Sequence, residues 1–121
     1  MSVLFLWPRQ HMKSRSIVKL LQQLQALGEH AIQGNLVEVM LTCGTPTCGC
    51  HQDRNRRHGP HLYLRYRDLN GRSRSMYVPR SHEGEMREAV EAWGRMWEAM
   101  LELSQNNREA LRERLRRRSQ G

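Results

Sequence analysis

Apolar residues recur at Ile17, Leu20, Leu24, Leu27 and Ala31, the three-to-four-residue period of one helix face. This predicts a helix over about 14–33, with Ser14 or Ser16 as its cap and Gly34 as its stop. The period then drops to two: Val37, Val39 and Leu41 occupy alternate positions within 35–42 and predict a strand running into Cys43. Residues 61–67 and 72–78 predict two more strands around Asp68-Leu69-Asn70-Gly71, since Asn-Gly is a strong hairpin signal, and Pro79 stops the last. From about Glu83 to Arg117 the chain predicts a long helix with Ser81 as candidate cap. Its weak points are Gly94 and Ser104 to Asn107, where a break near Asn106 is the alternative. Val90, Trp93, Trp97, Met100 or Leu101, Leu111 and Leu115 form its apolar stripe. Trp93 and Trp97 are read as core. The part beyond Ser104 has no evident partner within one chain, which favours pairing of two copies as a homodimer.

The order of helix, three antiparallel strands with an inserted loop, and long C-terminal helix defines an α+β fold. At 121 residues the chain is read as an N-terminal tail (1–13) followed by one domain (14–118), its long helix spanning about 83–117. Hydrophobic residues make up only 38%, so a metal staple or an oligomer would supplement a thin core. The apolar run Val3-Leu4-Phe5-Leu6-Trp7 is far shorter than a membrane span and lacks preceding positive residues. With unpaired cysteines, the expected compartment is the cytoplasm, with no membrane partner.

Polar residues in the middle of the chain carry the candidate chemistry. The run Cys43-Gly-Thr-Pro-Thr-Cys48-Gly-Cys50-His51 holds all three cysteines of the protein within eight residues, and His58 and His61 follow. Thiolates with one imidazole suit Zn²⁺, which takes four ligands in a closed tetrahedron when its role is structural. Gly44, Pro46 and Gly49 let the loop curl. The fourth ligand is ranked His58, then His61, then His51, because His51 adjoins Cys50 and neighbours rarely turn onto one ion. A disulfide fits poorly: Cys48 and Cys50 are too close, and one cysteine would be left over.

The net charge of +8 comes from 20 Lys and Arg against 12 Asp and Glu, and only Lys13 and Lys19 are lysines. Arginine grips phosphate bidentately and stacks on bases, and so basic a balance points to nucleic acid or an anionic membrane before an acidic metabolite. An even-length turn across Asn70-Gly71 would put Arg65, Arg67, Arg72 and Arg74 on one sheet face beside Tyr63 and Met76. Leu62, Leu64, Tyr66 and Tyr77 would then form the core face. A three-residue turn would undo that grouping. The metal loop adds Arg54, Arg56 and Arg57, and the C-terminus adds Arg112, Arg114, Arg116, Arg117 and Arg118, partly as dipole-complementing charges. Glu83, Glu85, Glu88, Glu91, Glu98 and Glu102 make the proximal half of the long helix acidic, which suits a protein partner.

Paired carboxylates near the cysteines, a phosphate-binding glycine loop, a serine nucleophile motif and the His-x-Glu of zinc deaminases are all absent from the sequence. A non-enzymatic role is therefore expected. The motifs Gly34-Asn-Leu36-Val-Glu, Cys43-Gly-x-Pro46-x-Cys48-x-Cys50, His58-Gly-Pro-x-Leu62-Tyr-Leu-x-Tyr and Gly71 to Tyr77-Val-Pro79 resemble a family of small bacterial and archaeal zinc-knuckle-like proteins of unknown function. The resemblance covers roughly residues 15–115. It places an aromatic where this chain has His61, which implies His58 as the ligand, and it implies company with mobile elements while assigning no activity. The expectation is a zinc-stabilised nucleic-acid-binding protein, DNA favoured over RNA. The alternative is an adaptor that binds a larger enzyme through the C-terminal helix.

Overall fold

A computed structural model describes residues 15–120; the expected tail (1–13), its apolar run and Ser14 lie outside the described residues. The elements are helix α1 (Ile17–Gly28), strands β1 (Asn35–Leu41), β2 (His58–Arg67) and β3 (Ser73–Val78), and helix α2 (Glu83–Gln120). The strands form one antiparallel sheet in the order β1-β2-β3, so the α+β architecture is as expected. The chain divides into two compact units. One is His30–Gly94, and the other joins the chain up to Glu29 with the chain from Arg95 onward.

In the second of these units Ser16 caps α1, its hydroxyl accepting from the Lys19 N–H at 3.3 Å. The helix ends at Gly28, well short of the expected boundary near Gln33, because the leucine periodicity stops at Leu27. Leu20 is fully buried. The distal half of α2 continues through Asn106 without the break weighed above. Arg15 pairs with Glu102 at 3.0 Å, and the Asn106 amide donates to the Arg15 carbonyl at 2.8 Å, so the polar segment is held by side-chain bonds. Further along, Arg112 with Glu109 and Arg116 with Glu113 add pairs one turn apart.

The unit His30–Gly94 is a two-layer arrangement. Leu62, Leu64 and Val78 form its buried core, with Leu36, Tyr66, Met86 and Val90 packed against them, so the first turns of α2 cover one sheet face. Gly34 has φ +149° and opens β1: a Cβ there would lie 2.7 Å from the Arg65 carbonyl oxygen, so the chain needs glycine for this approach rather than for ending a helix. Ser81 does not cap α2; it sits in a single 3-10 turn, Arg80–His82, that leads into the helix from Pro79.

Two further sequence readings are corrected. The hairpin pairs Tyr63 with Tyr77, Leu64 with Met76, Arg65 with Ser75, Tyr66 with Arg74 and Arg67 with Ser73. Paired residues share a face, so Arg74 and Met76 stand with the core residues, while Tyr77 joins Tyr63, Arg65 and Arg67 on the other side. The cause is the turn. The Gly71 N–H donates to the Asp68 carbonyl, the Asp68 N–H donates to the Arg72 carbonyl, and Gly71 has φ +79°, which makes a three-residue loop with a left-handed glycine. Second, Trp93 and Trp97 are not core residues; Trp97 is 56% exposed. The buried positions of α2 are Ala89, Ala92 and Ala99. At the first of these the Ile32 N–H reaches the Ala89 carbonyl at 3.0 Å, an approach that a small side chain permits.

Candidate metal centre

The centre is built where β1 and β2 converge. Their register runs regularly from Asn35 opposite Arg65 to Val39 opposite His61, then slips so that Leu41 faces His58. This bulge sets the first residue of β2 beside the end of β1, two residues before Cys43. Gly59, at φ +131°, lies so close to β1 that a Cβ would sit 2.8 Å from the Val39 carbonyl oxygen. Between the strands the loop winds tightly. The Cys48 N–H donates to the Thr45 carbonyl at 3.1 Å, and a 3-10 turn over Gly49–His51 carries Cys50 inward to near-complete burial.

The ligand atoms of Cys43, Cys48, Cys50 and His58 all lie within 4.8 Å of one another. Zinc–sulfur bonds of about 2.3 Å and zinc–nitrogen bonds of about 2.0 Å at tetrahedral angles give S···S edges of about 3.8 Å and S···N edges of about 3.5 Å. The observed edges are 3.7 Å for Cys43 Sγ to Cys50 Sγ and 3.4 Å for Cys48 Sγ to His58 Nε2. The four groups can therefore hold a metal ion with little rearrangement. His61 stays away from them, edge-on to Tyr77 at 6.1 Å between ring centroids. His51 also turns aside, its Nε2 lying 2.8 Å from the Cys43 carbonyl oxygen. That places His51 in the supporting role of tying a ligand's backbone, a contact missed at the sequence level because residue spacing cannot separate a ligand from its support.

The electrostatics divide the sulfurs. Backbone hydrogen bonding with Thr45 holds the Cys43 thiol down at about 6. The Cys48 thiol is also lowered, by the backbone at Cys50 and then by His58. Burial pushes Cys50 up, although the Cys43 N–H points at its sulfur from 3.3 Å. His58 is raised by its contact with Cys48. Two sulfurs are thus disposed toward the thiolate form that binds metals, and a cation among them would favour the third.

The basic residues singled out from the sequence lie on several elements. Arg54 and Arg56 are exposed on the metal loop, Arg57 is half-buried, and the Arg56 guanidinium lies over Gly49. Arg65 and Arg67 share a sheet face with Tyr63, and the Arg67 guanidinium donates to the Gly71 carbonyl at 2.8 Å. Arg74 pairs with Asp68 at 3.0 Å, and the exposed Arg72 offers its backbone N–H to the same carboxylate at 3.0 Å. Arg116 and Arg117 both reach Glu113, and Arg118 is exposed near the end of α2. No helix among the described residues is long and apolar enough to cross a membrane.

Comparison with known proteins adds one finding. The profile of the family described as Domain of unknown function (DUF6788) matches residues 9–88, which takes in α1, the sheet, the whole Cys/His cluster and the first turns of α2. The match is shorter at its C-terminal end than the expected 15–115, and the distal part of α2 lies outside it. No curated protein and no solved structure matches the chain.

Proposed function

The chain belongs to this family of domains of unknown function, and from that premise we propose that it is a non-enzymatic, zinc-stabilised nucleic-acid-binding protein, with DNA the favoured ligand and an accessory or regulatory role beside a mobile element. The last clause follows from the sequence resemblance alone. The observation that carries the reading is the closed Cys3His cluster with its edges at 3.7 and 3.4 Å. Three thiolates and an imidazole select a soft tetrahedral ion, zinc foremost, and they leave no corner for a reactive water. A metal so held organises a loop instead of doing chemistry. The loop it organises carries Arg54, Arg56 and Arg57, none of them in an ion pair among the described residues. Bound zinc with three thiolates lowers the net charge of +8 by one and leaves the protein strongly basic.

Elemental analysis of protein purified without chelator is expected to give one zinc per chain. Binding to duplex DNA, single-stranded DNA and RNA is then followed across a salt series. The expected result is a steep fall of affinity with salt, with Arg54→Ala and Arg56→Ala each removing about 0.9 of logarithmic slope on duplex DNA where a phosphate contact is lost. Metal-free protein, or no binding to any of the three at low salt, would sink the reading.

A second reading is supported by α2. Trp97, Leu101, Leu111 and Leu115 are all exposed. Leu111 follows Trp97, and Leu115 follows Leu101, by two heptads, the repeat that pairs helices along one seam. A second copy of the chain is the natural occupant, and a larger enzyme partner is the alternative. Light scattering at high protein concentration is expected to give twice the monomer mass; a monomer mass would remove the dimer.

A further inference from the structure

The sheet has a second face. Paired residues project to the same side, so Tyr63 with Tyr77, Arg65 with Ser75 and Arg67 with Ser73 stand opposite the core face of Leu62, Leu64 and Val78. From β1, Val37 lies beside Tyr63, and Val39 beside His61. The first turns of α2 pack on the core side, through Met86 and Val90, and Tyr77 stays 49% exposed. The rings form a fixed row across two strands. Tyr63 meets Tyr77 at 5.7 Å and 64°, and His61 meets Tyr77 at 6.1 Å and 71°.

The charge on this face has one sign. Its positions on the three strands include Arg65 and Arg67 and contain no Asp or Glu. The nearby carboxylates are directed elsewhere: Glu38 alternates to the core side of β1, and Asp68 engages Arg74. Neither Arg65 nor Arg67 has a carboxylate partner among the described residues. An aromatic row with cations at one end and no anion suits a ligand with flat π-faces strung on a negative backbone. Bases offer those faces only when unpaired; within a duplex they are stacked on one another and out of reach of rings standing on a sheet.

We propose that this face is a stacking platform for single-stranded nucleic acid, with bases on Tyr63 and Tyr77 and phosphates at Arg65 and Arg67. The inference rests on the nucleic-acid reading above and names the form of ligand it takes. His61, displaced from the metal role, extends the row by one ring.

The test uses the full-length, metal-loaded protein and fluorescence anisotropy with labelled oligomers of about fifteen nucleotides, the upper range that one small domain covers. The probes are single-stranded DNA, single-stranded RNA and duplex DNA. Single strands are expected to bind more tightly than duplex, and whichever single strand binds better identifies the preferred sugar. Tyr63→Ala and Tyr77→Ala should each weaken single-strand binding by about 5- to 100-fold with the salt slope unchanged, while Tyr63→Phe and Tyr77→Phe keep it. Arg65→Ala should instead lower the slope by about 0.7. If an alanine variant loses its melting transition, leucine at the same position keeps apolar bulk without a π-face and should show the same loss. Wild-type affinity in the tyrosine variants, or duplex bound as tightly as single strand, overturns the platform. If arginine variants flatten the salt slope on duplex while tyrosine variants do nothing, the platform falls and the nucleic-acid reading stands. Absence of binding to every probe at low salt removes both.

Discussion

At the scale of single residues, the decisive contrast is among three histidines. His58 lies 3.4 Å from the Cys48 sulfur, His61 stacks edge-on to Tyr77, and His51 supports the Cys43 carbonyl. Each position predicts a different outcome of the same substitution. His58→Ala is expected to lose the metal, as Cys48→Ser is. His51→Ala should keep one ion per chain with affinity lower by about 10- to 100-fold, the usual cost of removing a group that orients a ligand. His61→Ala should leave metal content and affinity unchanged. Metal analysis joined to competition with a chromophoric chelator separates the three; loss of the ion in His61→Ala would overturn the ligand set. The rank order His58 over His61 and His51 was legible from residue spacing and the Gly59-Pro60 turn. The job of His51 was not, because a carbonyl partner leaves no mark in sequence.

At the scale of elements, the hairpin depends on Asp68. Its carboxylate accepts from the Asn70 and Arg72 N–H groups at 2.9 and 3.0 Å and from Arg74 Nε at 3.0 Å. The Arg72 backbone bond, then Arg74, hold the Asp68 carboxyl below its ordinary value of 3.8. A depressed carboxylate contributes stability that is present above its unfolded value and lost as pH falls through its folded value. Asp68→Asn should therefore melt below wild type at neutral pH, with the gap closing as pH falls through the folded value of Asp68, below which both carry a neutral side chain. A gap unchanged in acid would exclude this charge as the source. The turn chemistry was readable: Asp at the first position and Gly at the fourth favour a type I turn. An even-length loop was taken from Asn-Gly instead, and the arginine grouping failed with it. The sheet core carries its own expectation. Leu64 is 1% exposed, so Leu64→Ala should cost about 2–5 kcal/mol in denaturant unfolding. A loss under about 0.5 kcal/mol, the range of surface changes, would mean that the core lies elsewhere.

At the scale of the whole molecule, the buried residues among those described are few and small; three of the eight are alanines. So thin a core suits a metal staple, and the Cys3His cluster ties the end of β1 to the start of β2 across the longest loop between strands. Removing the metal with a strong chelator is expected to abolish the cooperative melting of the unit His30–Gly94, followed by tyrosine circular dichroism, and zinc should restore it. Structural zinc sites bind with about 10–16 kcal/mol, comparable to or above the stability of a small domain. Unchanged melting after complete removal would show that the sheet folds without the ion.

By itself the sequence determined the order of the elements and the three sulfur donors. Periods of three to four and of two report which local structure buries a stripe or a face, and three cysteines in eight residues bring their sulfurs together through a short loop whatever the rest of the chain does. The tertiary structure decided what faces what. A single residue in the hairpin loop moved Tyr77 from core to open face and Arg74 from open face to core side, since side chains alternate with a period of two. The same holds on α2, where both tryptophans belong to an apolar stripe by sequence and small alanines occupy the buried seam. Hydrophobicity names the residues that favour burial; the closeness with which backbones approach one another selects the ones that are buried.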